Sequence, residues 1–350
     1  MSKAWKITIS VVSSILALIL IFLSVYYFWP WNKEFFAVAS QEFAIPGLDT
    51  QFVPQGFTLI EDYPAETDKY LVCGYMNDGS PSRYYLIDAE SGSVDKYFTL
   101  EIQEDDADVA VPYTGHAGGV ASYGSTLWTV SKVGDSGYCF RFLLSDIVNV
   151  PNGSAVAIRD CFITYNNADF VFVNNKMLWV GEFYKSGKYE TNADHHKITR
   201  SGEENRAMMY GFEIDESYKY GLLYNEVFPA KAISIPNQVQ GVAVTKEGNF
   251  ILSTSYSLPD SCLYYYKDVL NEPEHGKTNI GPKRISLWYL DNESLLMSVN
   301  APAMSEELVI NNDRLYILFE SACKKYKIFN RKQLKNVYSL PLTHFQVEKN

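Results

Sequence analysis

Acidic, amide and imidazole side chains recur at one place in a repeated pattern, two residues ahead of an apolar, strand-like run. Gln55 precedes Phe57-Thr58-Leu59-Ile60, Gly118 precedes Val120-Ala121-Ser122-Tyr123, and Asp169 precedes Val171-Phe172-Val173. Gln240 precedes Val242-Ala243-Val244, and Glu307, with Glu306 beside it, precedes Val309-Ile310. His116 lies two residues before Gly118, on the same side of an extended chain. Four residues after the aligned Leu or Ile of each following run stand Tyr75, Ser131, Glu182, Ser255 and Phe319, with Glu320 next. Brought together, Gln55, His116, Asp169, Glu182, Gln240, Glu307 and Glu320 form a set of candidate ligand-binding residues. Oxygen donors in this number suit a hard cation such as Ca²⁺, with Asp169 and Glu307 as its carboxylate ligands. A carboxylate pair with an imidazole equally supplies a general acid and base. Polar residues also line a water-filled channel with no chemistry attached, so lining, ion binding and catalysis all stand as readings.

The elements that must position these residues are short runs rich in Val, Ile, Tyr, Phe and Trp, cut by Asn, Gly and Asp turns. Hairpins turn at Gly124-Ser125, Asn174-Asn175, Glu247-Gly248-Asn249 and Asn311-Asn312-Asp313, and a fifth, with a longer loop, joins Phe57–Ile60 to Tyr70–Val72. A third strand follows each hairpin: Arg83–Asp88, Tyr138–Phe142, Met209–Asp215, Leu263–Tyr266 and Tyr326–Phe329. A more variable fourth strand then appears, as at Asp95–Leu100 and Asp160–Thr164. Four-stranded antiparallel units at a period of about 50–70 residues read as blades of a β-propeller, an all-β fold whose radial repetition leaves only short edges. Five blades fill residues 52–342, with 184–207 and 268–283 expected as loops, and the segment from Phe35 to Ile45 closes the ring as an outer strand. Six blades arise if Ile285–Leu290 begins another unit. In either case the innermost strands start, and the second strands end, at one mouth of the axial channel.

The chain is acidic, with 30 Lys+Arg against 41 Asp+Glu and a net charge of −11, which excludes a broad basic surface for nucleic acid. One segment departs from the strand pattern. From Ile7 to Asn32 no residue is charged, and Trp5 at one end faces Tyr26, Tyr27, Phe28, Trp29 and Trp31 at the other. A helix over 7–31 is long enough to span a bilayer, with interfacial aromatic belts and no polar face. Lys3, Lys6 and the α-amino group precede it, while Lys33 is followed at once by Glu34. The positive side is therefore residues 1–6, expected in the cytoplasm, with residues 33–350 as an extracytoplasmic domain of a single-pass membrane protein. Ala37-Val38-Ala39 before Ser40 also fits a signal-peptidase site, but it lies well past the apolar run.

Five cysteines are too few and scattered for a disulfide framework or a CxxC metal site. A hairpin at Pro151-Asn152-Gly153 places Cys139 opposite Cys161, against the alternative of two unpaired thiols. His195-His196 falls in the insertion after Glu182 and is expected to be solvent-exposed. Tyr75, Tyr113 and Tyr256 are expected near the mouth, where they could stack on sugar rings.

Val53-Pro54-Gln55-Gly56-Phe57, Gly115-His116-Ala117-Gly118-Gly119-Val120, Val239-Gln240-Gly241-Val242, Met304-Ser305-Glu306-Glu307-Leu308 and Leu318-Phe319-Glu320-Ser321-Ala322 resemble motifs of secreted or membrane-anchored bacterial β-propeller proteins of uncharacterised activity. The resemblance covers most of residues 50–330 and implies the propeller fold. A looser similarity is to calcium-dependent lactonase and phosphotriesterase-like propellers, whose axial ion is held by Glu, Asn and Asp from different blades. Asp169 and Glu307 match that set, and Gln stands where Asn is expected. Five-bladed glycoside hydrolases likewise gather acidic residues around a pocket. The sequence therefore points to a membrane-anchored propeller that binds a ligand or protein partner at the channel mouth. The alternative is a hydrolase, Ca²⁺-dependent on lactones or esters, or acting on glycosides.

Overall fold

Alternating apolar residues and tight Asn or Gly turns dictate most of the architecture. In the computed structural model, which describes residues 3–29, 31–64, 67–103, 109–225 and 227–345, Phe170–Asn174 pairs with Met177–Gly181 from Phe170↔Gly181 to Asn174↔Met177. The intervening Asn175 and Lys176 take φ of 48° and 57°, the left-handed pair whose twist matches that of the flanking strands. Asn312 and Asp313, with φ of 48° and 59°, do the same between Ser305–Asn311 and Arg314–Phe319.

The innermost strands of five sheets are Phe52–Ile60, Gly119–Tyr123, Phe170–Asn174, Val239–Val244 and Ser305–Asn311. Each touches the next, and the fifth touches the first, so the sheets close as a five-bladed propeller. The apolar cores lie between blades, where Trp128, Trp179, Tyr70, Tyr84 and Tyr210 are fully buried. Blade 5 is completed by Ser40–Ala44, which pairs with Asn336–Pro341, so the two ends of the domain share one sheet. The rest of the expected closing segment is not strand: Lys33–Val38 forms a short helix (α2) whose Phe35 packs on Phe319 and Tyr338.

Ile285–Leu290 begins no sixth blade. Lys283–Tyr289 adds parallel to Lys231–Ile235, the outer strand of blade 3, and pairs with Gly276–Ile280. The segment 268–283 is thus partly strand, and 184–207 carries a 3₁₀ turn (Ala193–His195) and a short ladder. Tyr326–Phe329 is corrected too: the third strand of blade 5 is Asn336–Pro341, and the earlier stretch is a turn-rich loop. All five cysteines are free. Cys139 pairs in register with Phe162 and Cys161 with Phe140, so the two thiols leave opposite faces of one sheet.

Helix α1 (Lys3–Phe28) stands apart from the sheets. Its segment Ile7–Tyr27 is long and apolar enough to cross a membrane, with none of it buried against the rest of the chain. Met1 and Ser2, in the segment expected inside the cell, and residues 346–350 of the expected outer domain lie outside the described residues.

Candidate functional site

Three of the five innermost strands carry a bulge at the end where the candidate residues lie. Register skips Gln55 in blade 1, Gln240 in blade 4, and the pair Glu306–Glu307 in blade 5. A bulge leaves a residue out of the ladder and re-aims its side chain. Gln55, Gln240 and Glu306 consequently turn toward the channel mouth, where Gln55 Nε2 donates to Glu320 Oε2 at 3.0 Å and Gln240 Nε2 to Glu306 Oε1 at 3.5 Å.

A cavity of about 560 Å³ opens there. Gln55, His116, Asp169, Gln240 and Glu320 all line it, drawn from all five blades. Blades 1 and 5 add aromatic faces: His116 stacks on Tyr75 at 4.7 Å, and Lys325 donates to the Tyr75 hydroxyl at 2.5 Å with its Nζ 5.0 Å from the Tyr326 ring centre. Blades 3 and 4 add Phe183, Tyr189 and Tyr256, in mutual contact at 5.5–6.4 Å, with Lys188 Nζ over both tyrosine rings.

The other two candidates lie at the same end of the axis but do not line the cavity. Glu182 is fully buried: its Oε1 accepts from His195 Nδ1 at 2.7 Å and from the Met208 N–H at 3.0 Å, and its Oε2 from the Asn167 N–H at 3.3 Å. His195 is therefore buried, not solvent-exposed, because it is the partner that the Glu182 charge requires. Glu307 lies deeper, between Gly119 and Gly241, where an added Cβ would sit 2.7 Å from Val171 N and 2.5 Å from Glu307 Cα. Those glycines let the innermost strands close on the axis. Glu307 Oε1 accepts from the Val242 N–H at 3.1 Å, and its buried Oε2 has no hydrogen-bond partner. Asp169 and Glu307 thus face different surroundings, and among the described residues no group of three or more His, Cys, Asp or Glu side chains is gathered to hold a metal ion. Tyr113 is buried against Phe140 and does not line the cavity.

Burial sets the electrostatics of the cavity floor. It pushes Asp169 up to about 7, helped by the charge of Glu182 and opposed by the Phe183 N–H that donates to Oδ2 at 2.7 Å. Burial likewise lifts Glu320 to about 7 against the pull of Lys325, and lifts Glu306, which faces Glu320, well above the usual carboxylate range. Two carboxyls in hydrogen-bond contact hold together only with a proton between them. Burial lifts Glu307 in the same direction. His116, open to the cavity yet set among protein atoms and near Lys325, is drawn well below its usual value and stays neutral. Near pH 7 the floor therefore holds a protonated Glu306, Asp169 and Glu320 poised between their protonated and ionised forms, amides and a neutral imidazole.

Phe183, Lys188, Tyr189, Lys325, Tyr326 and Phe329 are lining residues that the repeat pattern does not reveal. They lie on loops between strands, where blade alignment gives no position. The one available signal is the clustering of Tyr and Lys just after the second strands of blades 3 and 5.

No protein-family model and no curated protein matches the chain. Solved structures with a similar course of chain include the PQQ-bound aldose sugar dehydrogenase of Streptomyces coelicolor, at 12% identity over 87% of this chain and 97% of that one, with a TM-score of 0.47. BamB of Moraxella catarrhalis is similar at 10% identity over 89% and 100%, TM-score 0.31, and a GH43_1 enzyme of Xanthomonas citri complexed with xylotriose at 11% over 87% and 89%, TM-score 0.39. At these values the fold rests on the strand pairing itself.

Proposed function

We propose that the protein is a membrane-anchored propeller whose domain from Lys33 onward stands outside the cytoplasm and holds a neutral, hydroxyl-rich ring, a saccharide, in the axial cavity. The observation that carries this reading is the pairing of aromatic faces with a proton-bearing floor. Tyr75, Tyr189 and Tyr256 offer rings for stacking, Gln55 and Gln240 offer amides that donate and accept, and Glu320 and Asp169, titrating near pH 7, offer carboxyls in either protonation state. The long apolar helix and the basic N-terminus support the anchor and its orientation.

The Glu306–Glu320 pair favours a second reading, hydrolysis of a glycosidic or ester bond, because a carboxyl still protonated near pH 7 can act as a general acid. One experiment addresses both. The full chain in detergent is heated with a panel of mono- and disaccharides and, separately, incubated with chromogenic glycosides and esters. A ligand selective for the folded state raises Tm by mass action, about 2.7 kcal/mol at a hundred times Kd. A Tm shift without turnover is expected; turnover moves the conclusion to hydrolysis, and neither effect rejects the site. Protease added to intact cells should digest the domain beyond Lys33, and protection of that domain rejects the orientation.

A further inference from the structure

We propose that the loop Lys324–Lys335, with Leu258 and Pro259 beside it, rests on an anionic lipid surface, so that the cavity mouth opens at the membrane. The inference depends on the anchor reading above and adds what the anchor faces. Helix α1 does not hang free at its end. The Tyr26 hydroxyl donates to the Phe329 carbonyl at 3.0 Å and the Tyr27 hydroxyl to the Ile328 carbonyl at 3.3 Å. The Arg331 guanidinium covers the Trp31 ring at 4.3 Å and pairs with Asp260, which ties the two loops together. Phe22, Leu23, Leu258, Pro259 and Phe329 line one apolar notch. Phe22 precedes Tyr27, the end of the apolar span, by five residues, or about 7.5 Å along a helix axis. If Ile7–Tyr27 crosses a bilayer, the loop residues that share this notch sit at the headgroup–acyl boundary, the depth at which interfacial side chains lie.

The composition of the loop fits that depth. In a chain of net charge −11, residues 324–335 carry Lys324, Lys325, Lys327, Arg331, Lys332 and Lys335 and no acid. Lys324, Lys327 and Lys335 are exposed and have no acidic partner among the described residues. Between the cations, Ile328 and Phe329 leave 69% and 66% of their surface exposed. Adjacent large apolar side chains flanked by unpaired lysines match a surface that is apolar below and negative at its edge. Leu258 and Phe329 also line the axial cavity, so its rim and the lipid contact share two residues.

The test uses spin labels on the full chain in nanodiscs of anionic lipid, with the accessible Cys161 and Cys262 replaced by Ser. Labels go on Ile328→Cys, on Glu247→Cys at the far end of the axis, and on Leu18→Cys in the middle of α1. Label 328 is expected to be relaxed strongly by lipid-soluble oxygen and little by a water-soluble nickel chelate, and label 247 the reverse. Label 328 in water while label 18 is in lipid overturns the inference and leaves the anchor standing; label 18 in water overturns the anchor itself. Lys324→Glu with Lys327→Glu should move label 328 into water, and an unchanged depth rejects the role of anionic lipid. On the unlabelled chain, residues 324–335 should exchange amide protons more slowly in anionic than in zwitterionic nanodiscs, and equal rates count against the proposal. Saccharide binding plays no part in these readouts, so failure of the cavity reading remains a separate result.

Discussion

Glu182 and Glu320 occupy the same place in their blades, one residue past the second strand, yet the fold treats them in opposite ways. Around Glu182 two backbone N–H groups and an imidazole converge, so that the carboxylate is solvated by protein. Glu320 receives one amide hydrogen bond and faces another carboxyl. The difference lies in what the neighbouring chain supplies. After Glu182, the insertion 184–207 returns His195 to the strand end and closes over it. After Glu320, the loop 323–333 runs outward toward α1 and leaves the carboxyl on the cavity. One glutamate is structural and the other is available to a ligand.

The largest expected effect breaks the comparison on its structural side. Glu182→Ala strands the Met208 N–H and His195 in the interior and should cost about 3–5 kcal/mol, as removal of one partner from a buried pair does. Glu320→Ala should change stability by no more than about 1 kcal/mol, as for a single hydrogen bond at a wet site. Urea titration of the full chain in detergent checks both, and equal losses contradict the division of roles. Glu307→Ala comes next, at about 1–3 kcal/mol for the orphaned Val242 N–H. Glu307→Gln should cost less, because the amide oxygen can keep that bond.

A smaller effect is the pH dependence. Asp169 and Glu320 have folded-state pKa values of about 7, above those of a free carboxyl, so folding takes up protons. Their contribution is fully present below about pH 4 and is lost as pH rises through about 7. Asp169→Asn should therefore flatten the fall of Tm between about pH 4 and pH 7, the window between unfolded and folded values, and an unchanged slope contradicts the assignment. The smallest expected effect is that of Ca²⁺, which should leave Tm unmoved, since among the described residues no three His, Cys, Asp or Glu side chains gather to hold it. A rise abolished by Asp169→Ala would show an ion shell that forms on binding.

Much of this was legible in residue types. The hairpins near Asn175 and Asn312-Asp313 announce themselves, because a tight turn needs residues that tolerate positive φ, although the first turns at Asn175-Lys176 rather than Asn174-Asn175. Aligning those hairpins brings Gln55, Asp169, Gln240 and Glu320 to one mouth despite their distance along the chain. Bulges leave no comparable signal, so Glu306 and Glu307 look equivalent until the register shows that one meets Glu320 and the other is turned onto the axis. His195 reads as a loop residue because its partner lies 13 positions earlier, on another element. Tyr326–Phe329 reads as a strand because its apolar alternation is real, although the surface that Ile328 and Phe329 face is not supplied by the sheet.

Whether the axial cavity holds a ligand is read most directly by calorimetry. The saccharide giving the largest Tm shift is titrated into the full chain and into Tyr256→Ala, Gln55→Ala and Glu182→Gln. Tyr256→Ala and Gln55→Ala should each weaken binding by about tenfold, the effect of losing one stacking face or one hydrogen bond, while Glu182→Gln should bind as the parent does. Binding that is unchanged in the first two variants, or lost only in the third, would contradict a ligand site in the cavity.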